Sequence, residues 1–259
     1  METRSRFPLA IIQARMGSTR LPGKSLYPLI GKPVLWHVVD RLRFCRCLQS
    51  VVVATTTEIE DDAIEQWCCE NWVQCYRGSA LDVLDRYYQA ALFYQADAIV
   101  RITADCPAID PFVVDELVQG FMDGGYDVYG LGGEFPDGLD CEVFSFRMLE
   151  LAWSQARLAS EREHVTPYLY KQKEHCHIGH LAKFQGLQHH RWTLDEPADL
   201  QLLQAVFHHL YQEDTPFATQ DILTLLDQHP DLYQINRGIT RNEGYLRSIQ
   251  NDHVMTVRT

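Results

Sequence analysis

The chain has 259 residues, 23 Lys and Arg against 35 Asp and Glu, and a formal net charge of −12. Its length allows one large core, or a core with a small appended lobe. The acidic balance argues against a general nucleic-acid or anionic-membrane surface, which needs a basic face. No stretch approaches the ~18 consecutive apolar residues of a membrane span. The basic start "METRSRFPLAII" has too short an apolar run, and no small-residue cleavage site, for a secretory signal. The eight cysteines form no C-x-x-C pair and read as reduced, buried thiols of a cytoplasmic protein.

In chain order, Leu9–Gln13 is a short apolar run that reads as a strand. Val34, Leu35, Val38, Val39 and Leu42 keep a helical period, and Ser50–Ala54 is a β-branched strand of the buried type. Asp61–Asn71 reads as a helix with acidic residues suited to its N-terminus, followed by a short strand, Gln74–Arg77. Ser79 is placed to cap a helix over Ala80–Tyr94, with Leu81, Leu84, Tyr88 and Leu92 on one face. Ala98–Thr103 is another strand. Asp110 caps a helix from Pro111 to Met122, with the proline in its first turn. Strand–helix alternation with short connections predicts an α/β fold, a mostly parallel sheet covered on both faces.

The character changes at 124–146, a Gly-rich loop leading into a strand outside the alternation. "RMLELAWSQARL" and "EREHVTPYLYKQ" read as helices. "RWTLDEPADLQLLQAVFHHLY" starts like a strand, puts Asp195 at a cap position and continues as a long amphipathic helix. The last predicted helix is Thr219–Gln228, and a polar tail begins at Asn236.

Ligands of such sheets bind at the carboxyl ends of strands, near a topological switch point. Two segments reach that edge: the loop "QARMGSTRLPGKS" (13–25) and "TADCP" (103–107). The loop gathers Arg15, Arg20 and Lys24 with Gly17, Gly23 and Pro22. Glycines permit positive φ and close approach, guanidinium forks suit phosphate, and the proline stiffens the loop. Its Gly23-Lys24-Ser25 ending imitates Walker A, but five residues separate the two glycines where that motif has four. A triphosphate needs a divalent cation, and hard cations take carboxylates. Asp105 and Asp195 both stand at strand ends. Their alternatives are a turn-initiating Asp before Cys-Pro and a plain helix cap. The histidines of "HCHIGH" (175–180) have no regular zinc-ligand spacing.

Seven ordered segments resemble one family: "IIQARMGSTRLPGKSL", "VVVATT", "CYRGSALDVLDRYYQAA", "VRITADCPAIDP", "FPDGLDCEVFSF", "EREHVTPYLY" and "RWTLDEPADL". These resemble the cytidylyltransferases related to spore-coat polysaccharide biosynthesis proteins, cousins of the 3-deoxy-manno-octulosonate and acylneuraminate cytidylyltransferases. The likeness runs over most of residues 7–205. It implies a Rossmann-like, glycosyltransferase-A-like nucleotidyltransferase fold in a single domain, with a mixed sheet and a small sugar-binding or dimerisation lobe over 125–190. It further implies CTP as donor, a sugar acid as acceptor, Mg²⁺ as cofactor and a homodimer, with CMP-sugar and pyrophosphate as products for surface polysaccharide synthesis.

The resemblance also assigns residues. Arg15, Arg20, Lys24 and Asp105 take the catalytic roles, and Asp105 and Asp195 the metal. Gln13, Ala14, Gly17, Ser18, Thr55, Arg77 and Thr103 fall on nucleotide-binding positions. Asp137, Asp140, Glu142, Glu163 and His164 are candidates for the acceptor, with a dimer interface or a solvated helix start as the alternatives for the last two. There are departures. Octulosonate enzymes carry Gln-Gly before the first metal Asp and Glu after it, where this chain has Thr103-Ala104 and Cys106. The Gly-Gly-Ser-Lys loop of acylneuraminate enzymes is missing. Base preference and acceptor therefore stay open, as do a same-fold enzyme using another triphosphate and a non-catalytic nucleotide-binding protein.

Overall fold

The computed structural model describes residues 8–174 and 176–256. His175, part of the histidine-rich stretch, lies outside them.

Four strands, β1 (Pro8–Gln13), β4 (Ser50–Thr56), β5 (Gln74–Gly78) and β6 (Ala98–Thr103), run parallel in the order β5-β4-β1-β6. Each is covered on both sides, so its apolar residues are nearly continuous, with alternate residues serving opposite faces. In β1, Ala10 and Ile12 enter one core, and Leu9 and Ile11 the other. The first core is closed by α1 (Val34–Leu42), α2 (Asp62–Glu70), α4 (Pro111–Gly124), α8 (Pro197–Leu210) and α9 (Thr219–Gln228). The second is closed by α3 (Val83–Phe93), α5 (Phe146–Gln155) and the short α7 (Pro167–Tyr170). A two-residue hairpin, β2 (Pro28–Leu29) with β3 (Lys32–Pro33), precedes α1.

The sheet continues as β8-β7-β9, from β8 (Glu142–Ser145), β7 (Val128–Gly133) and β9 (Ile178–Phe184). Only β8 is antiparallel to its neighbours in this seven-stranded sheet. After β1 the chain builds outward through β4 to β5, then returns to place β6 on the other side of β1. The switch point thus lies between β1 and β6, above the loops at 13–25 and 103–107.

Several local expectations shift. The Gly-rich stretch 124–146 holds a full strand, β7, ahead of β8, and the histidine-rich stretch runs into β9. The helix predicted from Ala80 starts at Val83. Ser79 Oγ accepts from the Asp82 amide, and Asp82 Oδ1 caps the helix through the Asp85 amide at 2.9 Å. Its buried face is Leu84, Tyr87, Tyr88 and Ala91, while Leu81 and Leu92 are exposed. "EREHVTPYLYKQ" is divided between α6 (Ala159–His164) and α7, because Val165 takes φ 70° ahead of Thr166-Pro167. "RWTLDE" makes one isolated bridge, Asp137 with Arg191, and the α8 cap is Glu196, not Asp195. Two helices follow α9: α10 (Pro230–Gln234) and α11 (Glu243–Gln250). Asp110 caps α4 as expected, accepting from Phe112 and Val113.

Candidate functional site

The end of β1 is tied to both of its neighbours, β4 and β6. The Ala14 amide donates to Ala54 O, and the Ala104 amide to Gln13 O. This fixes the start of the cationic loop beside Asp105. Within the loop, Met16 N donates to Asp61 Oδ1 at 2.6 Å, and Ser18 N and Gly23 N both donate to Met16 O. Asp61 is itself buried and bonded by Thr56 Oγ1. Gly23 adopts φ 75°, a left-handed conformation that glycine takes without cost, and releases the chain into a single 3₁₀ turn over Lys24–Leu26. Gly17 has no positive φ; a Cβ there would meet Glu60 Oε1 at 2.7 Å. The amides of Ser18, Gly23 and Lys24 are satisfied inside the loop, and that of Met16 by Asp61.

That turn aims Lys24 between the two predicted metal carboxylates. Its Nζ lies 2.6 Å from Asp105 Oδ2 and 2.6 Å from Asp195 Oδ1. Residues far apart in sequence thus meet at one point, which spacing alone could not establish. Burial pulls the Lys24 ammonium down, but the two carboxylates more than compensate and hold it above its ordinary value. Burial pushes Asp105 up, and Lys24 overrides it, holding the carboxyl at about 2. Arg20 pairs with Asp195 at 3.0 Å and reaches Glu196 and Glu243. Cys106 is a buried thiol beside Thr103, pushed well up by burial, and supplies no thiolate.

Behind Asp195 stands Arg191, buried and making four side-chain hydrogen bonds. It forks onto Asp199 at 2.9 and 3.1 Å, and reaches Asp137 at 2.7 Å and Asp195 at 3.0 Å. Asp199 also accepts from the Asp195 and Glu196 amides, and Asn236 closes the network onto Asp199 and Arg191 O. Burial and the neighbouring Asp140 push the Asp137 carboxyl up to about 7, against the pull of Arg191.

Lys24, Arg20, Asp105, Asp195, Arg191 and Asp137 line a cleft of about 670 Å³, with Asp199 and Asn236 behind it. Of the predicted residues, Gln13, Ala14, Arg15, Ser18, Arg20 and Lys24 line it from the loop side. Thr103, Asp105 and Asp195 form its floor, and Asp137, Asp140, Glu163 and His164 its far wall. Four predicted residues stand elsewhere. Arg77 turns away, donating to Thr56 O and Glu58 O and pairing with Asp62 and Glu65. Glu142 lies behind the cleft, pairing with Arg101 across the β6–β8 register. Gly17 and Thr55 do not line it.

The cleft also holds residues without a role in the sequence-based expectations: Arg86, Arg101, Arg191, and residues 242–245 with Arg247 and Ser248. Arg86 Nε and Arg101 Nε are buried without a hydrogen-bond partner, as is Gln13 Oε1. Arg101 had a signal, being a lone charge in the apolar strand "AIVRIT"; Arg86 sits on the core-facing side of α3, where a cation is out of place.

Two carboxylates converging on one cation suit a hard divalent ion. Among the described residues no group of three or more His, Cys, Asp or Glu is placed to hold a metal. A pair of carboxylates completed by phosphate oxygens and water is the usual setting for Mg²⁺. No described helix is long and apolar enough to cross a membrane, and all eight cysteines are free, with Cys69 exposed.

The family model described as cytidylyltransferase matches residues 9–239. The chain is 34% identical to the spore coat polysaccharide biosynthesis protein SpsF of Bacillus subtilis over 86% of this chain and 95% of that one. It is 30% identical to an 8-amino-3,8-dideoxy-manno-octulosonate cytidylyltransferase of Shewanella amazonensis over 69% and 75%. Its fold is similar to that of a cytidylyltransferase from Leptospira borgpetersenii serovar Hardjo-bovis, with a TM-score of 0.83 and 34% identity over 90% and 99%.

Proposed function

Since the chain belongs to the cytidylyltransferase family and is a nucleotidyltransferase, we propose that it moves CMP from CTP to a hydroxyl of a sugar acid, releasing pyrophosphate. The observation that carries this reading is Lys24 held between Asp105 and Asp195 at the switch-point cleft, with Arg15 and Arg20 on the same loop.

The acceptor oxygen attacks the α-phosphorus, the bond to the β-phosphate oxygen breaks, and the hydroxyl proton passes to solvent. Positioning and charge neutralisation supply most of the rate, as in other phosphoryl-type transfers. Arg15 and Arg20 hold the phosphates, and Lys24 moves on its flexible stem from the carboxylates to the leaving pyrophosphate. Mg²⁺ held by Asp105 and Asp195 would polarise the α-phosphate as a Lewis acid. Gln13 Oε1, buried and unpartnered, suits a base that carries an exocyclic amine. Arg86 and Arg101, each with an unpartnered buried Nε, favour an anionic acceptor. Asp137, Asp140, Glu163 and His164 face its hydroxyls from the wall built by residues 125–190, which would also carry a homodimer contact. The setting is cytoplasmic synthesis of a CMP-sugar for surface polysaccharide.

The test is pyrophosphate release with Mg²⁺, each of the four NTPs, and octulosonic and nonulosonic acids. Turnover with CTP and at least one sugar acid is the expected result. Turnover with another triphosphate only would replace the donor, and CTP binding without release would point to a non-catalytic nucleotide-binding protein.

A further inference from the structure

Residues 240–256 lie beyond the span matched to the family, yet they line the same cleft. They form a strap anchored at both ends. At the first end, Arg241 stacks 4.4 Å over Phe135 and donates to Phe135 O at 2.6 Å. At the second, Ala159 N donates to His253 O, Met255 N to Arg157 O, and Ser160 N and Oγ to Asp252. Between the anchors, α11 crosses the mouth of the cleft and buries no residue. It is amphipathic the wrong way round for core building. Leu246 and Ile249 are 47% and 46% exposed, while Tyr245, Arg247, Ser248 and Asn251 line the cleft. A helix that turns polar groups inward against a polar cleft gains little from apolar burial. Its placement calls for a polar ligand.

The contacts of α11 locate that ligand. Glu243, in its first turn, pairs with Arg20 of the cationic loop at 3.2 Å. Five residues on, Ser248 Oγ donates to Glu163 Oε2 at 2.6 Å and meets His164 Nε2 at 3.0 Å. Tyr245 meets the His164 ring edge-on, with centroids 4.9 Å apart. One short helix therefore touches both the phosphate end of the cleft and the two side chains on its acceptor wall.

We propose that α11 is part of the acceptor subsite and selects a polyhydroxylated acid, with Ser248 as the positioning residue that fixes Glu163 and His164 for the acceptor's hydroxyls. A serine hydroxyl held between a carboxylate and an imidazole sets the direction in which each presents its remaining lone pair or proton. This assignment rests on the sugar-acid reading above and narrows it to a segment outside the matched span.

The experiment uses the full chain and its Ser248→Ala and Ser248→Thr variants. Pyrophosphate release is followed with Mg·CTP and, in turn, 3-deoxy-manno-octulosonate, its 8-amino-3,8-dideoxy analogue and N-acetylneuraminate. CTP binding is measured by calorimetry alongside. Ser248→Ala is expected to raise KM for the accepted sugar acid about tenfold, the loss of one hydrogen bond to a charged group. KM and Kd for CTP should stay within about twofold and Tm unchanged, and Ser248→Thr should restore the sugar KM. An unchanged sugar KM in Ser248→Ala, or equal changes in the sugar and CTP constants, overturns the assignment. If CTP binds but none of the three acids is turned over, the sugar-acid reading itself falls and takes this subsite with it.

Discussion

The Lys24 ammonium lies 2.6 Å from Oδ2 of Asp105, 81 positions away in the chain. Asp195 receives the same ammonium from its other side. Lys24 thus sits where two carboxylates would otherwise repel, and a divalent cation would serve the same electrostatic purpose. Lys24→Ala and Asp105→Asn should each lower pyrophosphate release by about 10²–10³-fold, the usual cost of one preorganised charge at a transition state. Both should keep the wild-type circular dichroism spectrum. Added Mg²⁺ should raise Tm more in Lys24→Ala than in the wild type, since the ion no longer competes with the ammonium. Full release by Asp105→Asn would sink the metal assignment.

The same pair makes an acid-limb prediction. Asp105 is held at about 2 in the folded protein, below the ordinary carboxylate value near 4 that it regains on unfolding. Its contribution to stability is present above the unfolded value and is lost as pH falls through the folded one. In Lys24→Ala burial is opposed only by the hydrogen bonds from Thr103 and the backbone, so the Asp105 pKa moves upward and its stabilising contribution shrinks. Urea unfolding at pH 2–7 should show the wild type losing its advantage over Lys24→Ala as pH falls from about 4 to 2. Parallel curves for the two proteins would contradict the pairing.

The parts legible in the sequence were those whose neighbours are local or whose pattern is extreme. β1, β4 and β6 are covered on both faces and read as nearly continuous apolar runs, interrupted in β6 by Arg101, and Asp110-Pro111 announced α4. Their order of parallel strands placed the cationic loop at the ligand edge. β7 and β9 escaped because their residues answer to different demands. β7, "VYGLGG", is half glycine, with Tyr170 Oη 2.6 Å from where a Gly130 Cβ would stand. β9, "IGHLAKF", is an edge strand whose polar residues face solvent. Arg191 looked like a charge before a helix, because Asp137, Asp199 and Asn236 meet it only in the fold. α11 reads only as part of the polar tail from Asn236, since it buries no residue and offers no core-facing stripe.

Arg191 yields a stability prediction. Asp199 is fully buried and bonded by the Arg191 fork, the Asp195 and Glu196 amides and Asn236. Removing Asp199 takes the two-bond partner from Arg191, which keeps Asp137 and Asp195, and leaves the Asp195 and Glu196 amides and Asn236 without their acceptor, at about 3–5 kcal/mol together. Asp199→Ala should lower the unfolding free energy in urea by about that amount. Its folded fraction should also turn over more slowly, because the backbone that presents Asp195 loses its anchor. A loss below about 1 kcal/mol would show that the network is not closed as described.

Arg77 separates resemblance from geometry. The family pattern places it near the nucleotide base, whereas its guanidinium donates to Thr56 O and Glu58 O and pairs with Asp62 and Glu65 on α2. Those bonds tie β5 to the turn carrying Asp61, and Asp61 holds the Met16 amide of the cationic loop. Arg77→Ala should therefore act on stability. Tm should fall by about 2–4 °C for each kcal/mol lost, with KM for CTP within about twofold of wild type. Arg15→Ala is the contrast: it lines the cleft, and losing one charged bond to phosphate should raise KM for CTP at least about tenfold. If Arg77→Ala instead raises KM for CTP as Arg15→Ala does, with no change in Tm, the side chain must leave its α2 partners when nucleotide binds. The base-contact role implied by the resemblance would then stand.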